Sequence, residues 1–243
     1  MDARLIRDTA ADGAWNMAMD EAIARVVAET GVPVIRFYYW CEPTLSLGYF
    51  QPYSHRQSHH ASQSCPVVRR SSGGGALLHH HELTYSLAIA THTSPRFDKL
   101  YGILHESLCQ CLVNQGIHAT QWSRPTDRAR ESEFLCFHRR TSPDVVVGDF
   151  KILGSAQRKR RGVVLQHGSL LLAKSDCAPQ LLGIADVAHP VDENELINDW
   201  AAALERAFHW TLGPSTANTR ERSLAQSIRN DRFLRPDWTH RRI

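Results

Sequence analysis

The chain has 243 residues, 42% of them apolar, and a formal net charge of +3. That length suits one compact domain with a sizeable core, and so small a charge makes no case for nucleic acid as a partner. No apolar run is long enough to span a bilayer, the N-terminus MDARLIRDTAADGAWNM lacks a signal-peptide core, and the six cysteines form no C-x-x-C pair, so no membrane association and reduced thiols in a cytoplasm are expected.

Asp12 to Thr30 reads as the first helix. Met19, Ile23, Val26 and Val27 recur at helical spacing, Asp12 caps the start, and Gly31-Val32-Pro33 ends it. Val34 to Trp40 is β-rich and aromatic, a strand. Gly48, within Pro43 to Gln51, marks a close backbone approach, either to a ligand or to a neighbouring strand. His55, His59 and His60 have no nearby ligand partner except Cys65, so a solvated loop is expected there and not a metal site. Next comes Arg69-Arg70-Ser71-Ser72-Gly73-Gly74-Gly75. Successive glycines do not continue an ordinary strand; they leave backbone N–H groups able to approach a carbonyl, carboxylate or phosphate. His79, His80 and His81 follow, and strand alternation sets His79 and His81 on one face and His80 on the other, which does not suit one metal ion.

Phe97 to Gly116 reads as a second helix with Leu100, Leu104, Leu108 and Leu112 on its apolar face; Cys109 and Cys111 are expected to be packing residues. Ile117 to Trp122 is a strand, and Ser123 to Arg140 a charged, irregular surface loop. Inside that loop Phe134-Leu135-Cys136-Phe137 is apolar, so it either folds onto the domain as a lid or sits in an interface. Three apolar runs follow, Asp144 to Val147, Phe150 to Leu153 and Val163 to Leu172, separated by Gly148-Asp149 and by the basic Arg158 to Gly162. They read as a three-stranded antiparallel meander. Lys151 in an apolar strand costs desolvation unless a partner or substrate meets it. Along the third run Val163, Leu165, His167 and Ser169 share a face. Asp192 to Phe208 reads as a third helix, with Asp192 and Glu195 in capping-box spacing. Beyond Gly213-Pro214 a short helix near Glu221 to Ile228 precedes the tail.

Lys151, Gly154-Ser155-Ala156-Gln157-Arg158 and His167-Gly168-Ser169-Leu170-Leu171 resemble the K-[IV]-x-G-S-A-x-R … H-H-G-[ST]-L-L signature of the lipoate and octanoate transferase family. Arg69 to Gly75, His79 and Glu82-Leu83-Thr84-Tyr85-Ser86 resemble that family's second motif, with His80 where an Asp is usual. The resemblance implies an α+β fold, a mixed and mostly antiparallel sheet with packed helices, shared with biotin and lipoate protein ligases. It assigns residues 1–210 to that catalytic domain and leaves residues 211–243 as a short C-terminal extension, not an independent domain. Leu135-Cys136-Phe137 and Asp144-Val145-Val146-Val147 are similar to the pattern of the cysteine-type octanoyltransferases, with Leu135 in place of Ala.

The resemblance implies octanoyl transfer from acyl carrier protein, through a Cys136 thioester, to a lysine of a lipoyl domain, with the H protein of glycine cleavage as the expected acceptor. Rival readings are an amidotransferase between lipoyl domains, an ATP-dependent lipoate ligase and a non-catalytic binder of acyl-carrying domains. On the first reading Cys136 and Lys151 are catalytic. Arg70, Gly73, Gly74, Gly75, His79, Gly154, Ser155, Ala156, His167 and Gly168 bind substrate, and no cofactor or metal is needed. His79 or His167 assists proton transfer or is a satisfied core histidine, and Arg158 to Arg161 face an acidic partner or decorate a solvated hairpin tip.

Overall fold

In the computed structural model, which describes residues 1–92, 99–124 and 134–241, the chain opens with a strand, β1 (Asp2–Arg7), that sequence patterning did not single out. Helix α1 (Gly13–Thr30) follows. The Asp12 side chain accepts the Trp15 N–H, and Gly31 closes the helix in the left-handed region at φ 74°, so both expected caps are present. Strands β2 (Val34–Tyr38), β3 (Thr44–Leu47), β4 (Val67–Arg69), β5 (Leu77–His79) and β6 (Glu82–Ala90) come next. After α2 (Leu100–Asn114) the chain makes β7 (Ala119–Gln121), β8 (Val145–Val147), β9 (Phe150–Arg160) and β10 (Val163–Leu171). It ends with α3 (Ile184–Val187), α4 (Glu193–Phe208), β11 (Thr211–Ser215), α5 (Thr219–Ile228) and α6 (Pro236–Thr239). No helix among the described residues is long and apolar enough to cross a membrane.

Eight strands form one mixed, mostly antiparallel sheet in the order β11-β1-β2-β6-β10-β9-β8-β7. Alternation along its strands divides the core into two layers. Val34, Ala88 and Val163 pack with α1 and α5 residues such as Ile23 and Ala225. Their neighbours Ile35, Leu87 and Val164 point the other way, into a cluster with Leu104 of α2 and Trp200 of α4. A small sheet, β4-β3-β5, carries a third cluster that includes Leu45, Leu78, Leu135 and Phe137.

The meander is present but its second strand is longer than expected. Pairing of β9 with β10 runs from Leu153↔Leu170 to Arg160↔Val163, so Gly154 to Arg158 are strand residues and the turn shrinks to Arg161-Gly162. Both turn residues have positive φ, 46° and 81°, the geometry that matches the twist of a two-residue hairpin. The basic residues read as a loop are held in strand by this ladder. His80 and His81 correct the expected alternation. Strand β5 stops at His79, and the two rings stack in the turn before β6 with centroids 3.6 Å apart. Phe97, expected in α2, lies outside the described residues, as do 125–133 of the charged loop.

The last segment is woven into the domain. Strand β11 pairs in parallel with β1, Asp2↔Thr211 through Ile6↔Ser215. Gly213-Pro214 sits within this edge strand, where proline's missing N–H is tolerated. Ala225 and Ile228 of α5 are buried against α1.

Candidate active site

Arg69 ends β4 and Arg70 follows it, and the two side chains point opposite ways. Arg69 is a structural clamp: Nε and Nη2 donate to the Thr239 carbonyl and Nη1 to the carbonyls of Gly48 and Gln51. Arg70 turns into the domain, where Nη1 donates to the Ser46 carbonyl at 2.9 Å and Nη2 to the Gly75 carbonyl at 2.7 Å. The glycine loop is thus wrapped around a buried guanidinium. Gly48 lies against it so closely that a Cβ there would stand 1.9 Å from the Gly74 carbonyl oxygen. The close approach read from the sequence is therefore made to backbone, and Gly74 at φ 93° requires glycine in its own right.

The apolar run Phe134 to Phe137 folds onto this loop. Ala76 N–H donates to the Phe134 carbonyl at 3.1 Å, and Cys136 N–H donates to the Ala76 carbonyl at 2.7 Å. Leu135 and Phe137 are buried in the third cluster, which leaves Cys136 partly exposed in a single 3-10 turn. Gly75 packs closely on the thiol-bearing residue: a Cβ there would stand 3.2 Å from Cys136 Cα and 3.3 Å from its Cβ, tighter than ordinary contact.

The Cys136 thiol opens on a cavity of about 60 Å³. Arg70, Gly73, Gly74, His79, Cys136, Gly154, Ser155, Ala156, His167 and Gly168 all line it, ten of the twelve residues singled out from the sequence. Gly75 and Lys151 do not line it; both act on Cys136. Strands β9 and β10 supply the floor, with Gly154 opposite Ser169 and Gly168 opposite Ser155. The glycines are needed for space: a Cβ at Gly154 would meet Lys151 Cε at 2.7 Å, and one at Gly168 would meet Ser155 Oγ at 2.4 Å. The void is small, with room for only a few water molecules. Met17, unbranched and flexible, lines it too.

Of the partner or substrate that Lys151 calls for in an apolar strand, the structure shows a partner within the chain. A β-bulge shifts the register between β8 and β9 at Val145/Val146. The Lys151 ammonium pairs with Asp144 at 2.7 Å, donates to the Arg139 carbonyl at 3.3 Å, and stands 4.9 Å from the centre of the Phe137 ring. Desolvation is met by a carboxylate of the chain itself.

Burial by itself pushes the Cys136 thiol up. The Lys151 ammonium, the Gly75 N–H and the Arg70 guanidinium outweigh burial and the opposing Asp144 carboxylate, and hold the thiol below its ordinary range. Other thiols go the opposite way: burial and a bond with Cys177 push Cys65 up to about 12, and burial pushes Cys109 and Cys111 up to about 11.

The two histidines are held by different partners. His79 stacks on Trp40 at 3.8 Å, with Nδ1 2.7 Å from Glu82 Oε1 and Nε2 2.6 Å from Ser46 Oγ. Burial lowers its pKa more than Glu82 raises it, so the ring is neutral, and Nδ1 donates to the carboxylate. His167 Nε2 lies 2.6 Å from Ser72 Oγ, and Nδ1 lies 3.7 Å from Asp20. Asp20 in turn pairs with Arg36 at 2.8 Å and accepts from Tyr38 and Ser86. Sequence reasoning gave Asp20 and Arg36 no part. An Asp inside the first helix and an Arg inside a strand carry no mark of their pairing. Glu82 and Thr84 stood within a quoted motif, but the bond of 2.5 Å from Thr84 to Glu82 appears only in three dimensions. His80, the departure from the family motif, meets Ser175 Oγ at 2.9 Å. Among the described residues no three His, Cys, Asp or Glu side chains are grouped to hold a metal ion.

Residues 12–182 match the family model described as the lipoyl protein ligase A/B catalytic domain. Octanoyltransferase LipM of Brevibacillus brevis is 32% identical over 273 residues, covering 98% of this chain and 99% of that protein. Octanoyltransferase LipM of Kyrpidia tusciae is 30% identical, covering 98% of both. Among solved structures, lipoate-protein ligase A bound with ATP matches at a TM-score of 0.81 and 21% identity over 100% of both chains. A chain from the bi-partite lipoate protein ligase of Thermoplasma acidophilum matches at 0.79 and 20% identity, over 100% of this chain and 98% of that one. These structural likenesses bear on the fold, which is that of the lipoate protein ligases.

Proposed function

The chain belongs to the lipoyl protein ligase A/B catalytic-domain family, and from that premise we propose that it is an octanoyltransferase of lipoate biosynthesis that works through a thioester on Cys136. Relatives named octanoyltransferase cover 98% of its length. The donor is octanoyl-acyl carrier protein and the acceptor a lysine of a lipoyl domain, the glycine cleavage H protein being the first to try. The observation that carries the mechanism is the thiol itself, held below its ordinary pKa at the mouth of the glycine-lined cavity while three other cysteines are pushed above theirs.

In the first step the Cys136 thiolate attacks the donor's thioester carbonyl. A new C–S bond forms, the carrier's C–S bond breaks, and the carrier leaves as a thiol after taking a proton. In the second, the acceptor's neutral amine attacks the enzyme thioester. The amide C–N bond forms, Cys136 departs as thiolate, and the amine's proton passes to solvent or a neighbouring base. Thioester exchange conserves the donor's activation, so neither step consumes ATP. The Lys151 and Arg70 cations stabilise the thiolate as nucleophile and as leaving group.

Enzyme mixed with octanoyl-carrier protein, without acceptor or ATP, is expected to gain one octanoyl group that hydroxylamine removes and that maps to the Cys136 peptide. Cys136→Ala should lose both the adduct and transfer to the H protein. A Cys136→Ala enzyme with wild-type turnover, or modification that needs ATP and free octanoate, would overturn the mechanism.

A further inference from the structure

A second concavity is separate from the glycine-lined cavity. It is a groove of about 990 Å³ between α1, α5 and the β9–β10 hairpin. Among the described residues, Arg25, Arg158, Arg160, Arg161 and Arg220 line it against two acidic residues, Glu21 and Glu29. Both glutamates are already engaged. Glu21 pairs with Arg25 at 2.8 Å and also with Arg232, and Glu29 pairs with Arg220 at 2.5 Å. Arg160 and Arg161 stand exposed at the hairpin tip. Ala24, Ala28, Val163, Leu165 and Leu224 make an apolar floor between these charges.

The groove also leads towards the thiol. A small void of about 10 Å³ shares Ser71, Arg158 and Leu165 with the groove, and shares Met17 and His167 with the cavity on which Cys136 opens. A carrier protein presents its acyl group on a long, flexible, phosphate-linked arm, which suits a partner docked outside the cavity on which Cys136 opens.

We propose that this groove docks the acyl donor: an acidic, amphipathic helix of the carrier protein lies along α1 and α5, its apolar side on Leu165 and Leu224. Its carboxylates and the arm's phosphate face Arg158, Arg160 and Arg161. Complementary charge of this kind acts on encounter and on KM more than on chemistry, and salt weakens it. The inference rests on the donor named above, and the experiment separates the two.

Acylation of Cys136 is followed with octanoyl-carrier protein and with octanoyl-pantetheine, a donor with no protein to dock, in wild type and in R160E/R161E. The variant is expected to raise KM for the carrier protein on the order of tenfold, to leave the rate with octanoyl-pantetheine within about twofold, and to pass its octanoyl group to the H protein at the wild-type rate. Added salt should raise the wild-type KM for the carrier protein only. Equal KM values for the carrier protein in both enzymes, or equal losses with both donors, would overturn the docking site. Slowing of the H-protein step alone would assign the groove to the acceptor and likewise overturn it. A wild-type enzyme that neither donor acylates would instead remove the function on which the inference rests.

Discussion

Lys151 does two things at one atom, and its substitution separates them. Its ammonium neutralises the buried Asp144 and lowers the neighbouring thiol. Lys151→Ala leaves a carboxylate buried without a counter-charge and is expected to cost about 3 kcal/mol of stability, measured by urea unfolding. Removing both charges in Lys151→Met/Asp144→Asn should recover most of that loss without restoring acylation. The thiol itself reports through pH. Alkylation by iodoacetamide follows the thiolate, so its rate rises through the thiol pKa, and a lowered pKa moves that rise to lower pH. Cys136 should reach half its limiting rate below the ordinary thiol value of 9.0, and the double variant should move the midpoint upward. A Cys136 midpoint at or above 9.0 in the wild-type protein would contradict the electrostatics described.

The glycine loop shows how one element serves the site through shape. Gly48 and Gly73 differ sharply in surroundings. A Cβ on Gly48 would penetrate the Gly74 carbonyl, whereas one on Gly73 would meet nothing within 4 Å. Gly48→Ala must displace the loop that frames Arg70 and Cys136, and a loss above about 2 kcal/mol in thermal unfolding is expected, together with slower acylation. Gly73→Ala should unfold within about 0.5 kcal/mol of wild type. Equal melting temperatures for the two variants would mean that the loop yields easily and that the close packing does not set the site.

At the scale of the molecule, a buried charge cluster fastens α1 to the sheet. Asp20 of α1 meets Arg36 of β2, Ser86 of β6 and His167 of β10. Burial pushes the Asp20 carboxyl up, but His167, Arg36 and Ser86 together hold it below its ordinary value of 3.8. A carboxyl depressed in the folded state adds stability above its unfolded pKa, and that stability is lost as pH falls through the folded value. Asp20→Asn should therefore destabilise the protein near neutral pH by about 3 kcal/mol, with the difference shrinking below pH 3.8. The C-terminal segment is a second fastening. Deleting residues 211–243 removes β11 from the sheet edge and uncovers the α1 face that Ala225 and Ile228 bury. The truncated chain should lack a cooperative thermal transition; a sharp melt near that of the full chain would show residues 1–210 to be self-sufficient.

By itself the sequence determined what local chemistry writes down. Caps at Asp12 and Gly31, the Gly148-Asp149 turn and the Asp192 cap of α4 are set within a few residues of chain, and each stands where it was read. The site was legible because most of its residues lie in contiguous motifs, and because an apolar Phe134 to Phe137 inside a charged loop has no reason to be solvated. Tertiary structure decided the rest. Strands β1 and β11 are short and gain their hydrogen bonds from partners some two hundred residues apart, so no local period announces them. The Asp144 partner of Lys151, the Asp20–Arg36 pair and the opposed directions of Arg69 and Arg70 are likewise set by packing. A pattern along the chain shows which residues can be buried; only the packed fold shows which charge each one meets there, and at Cys136 that neighbourhood sets the thiol.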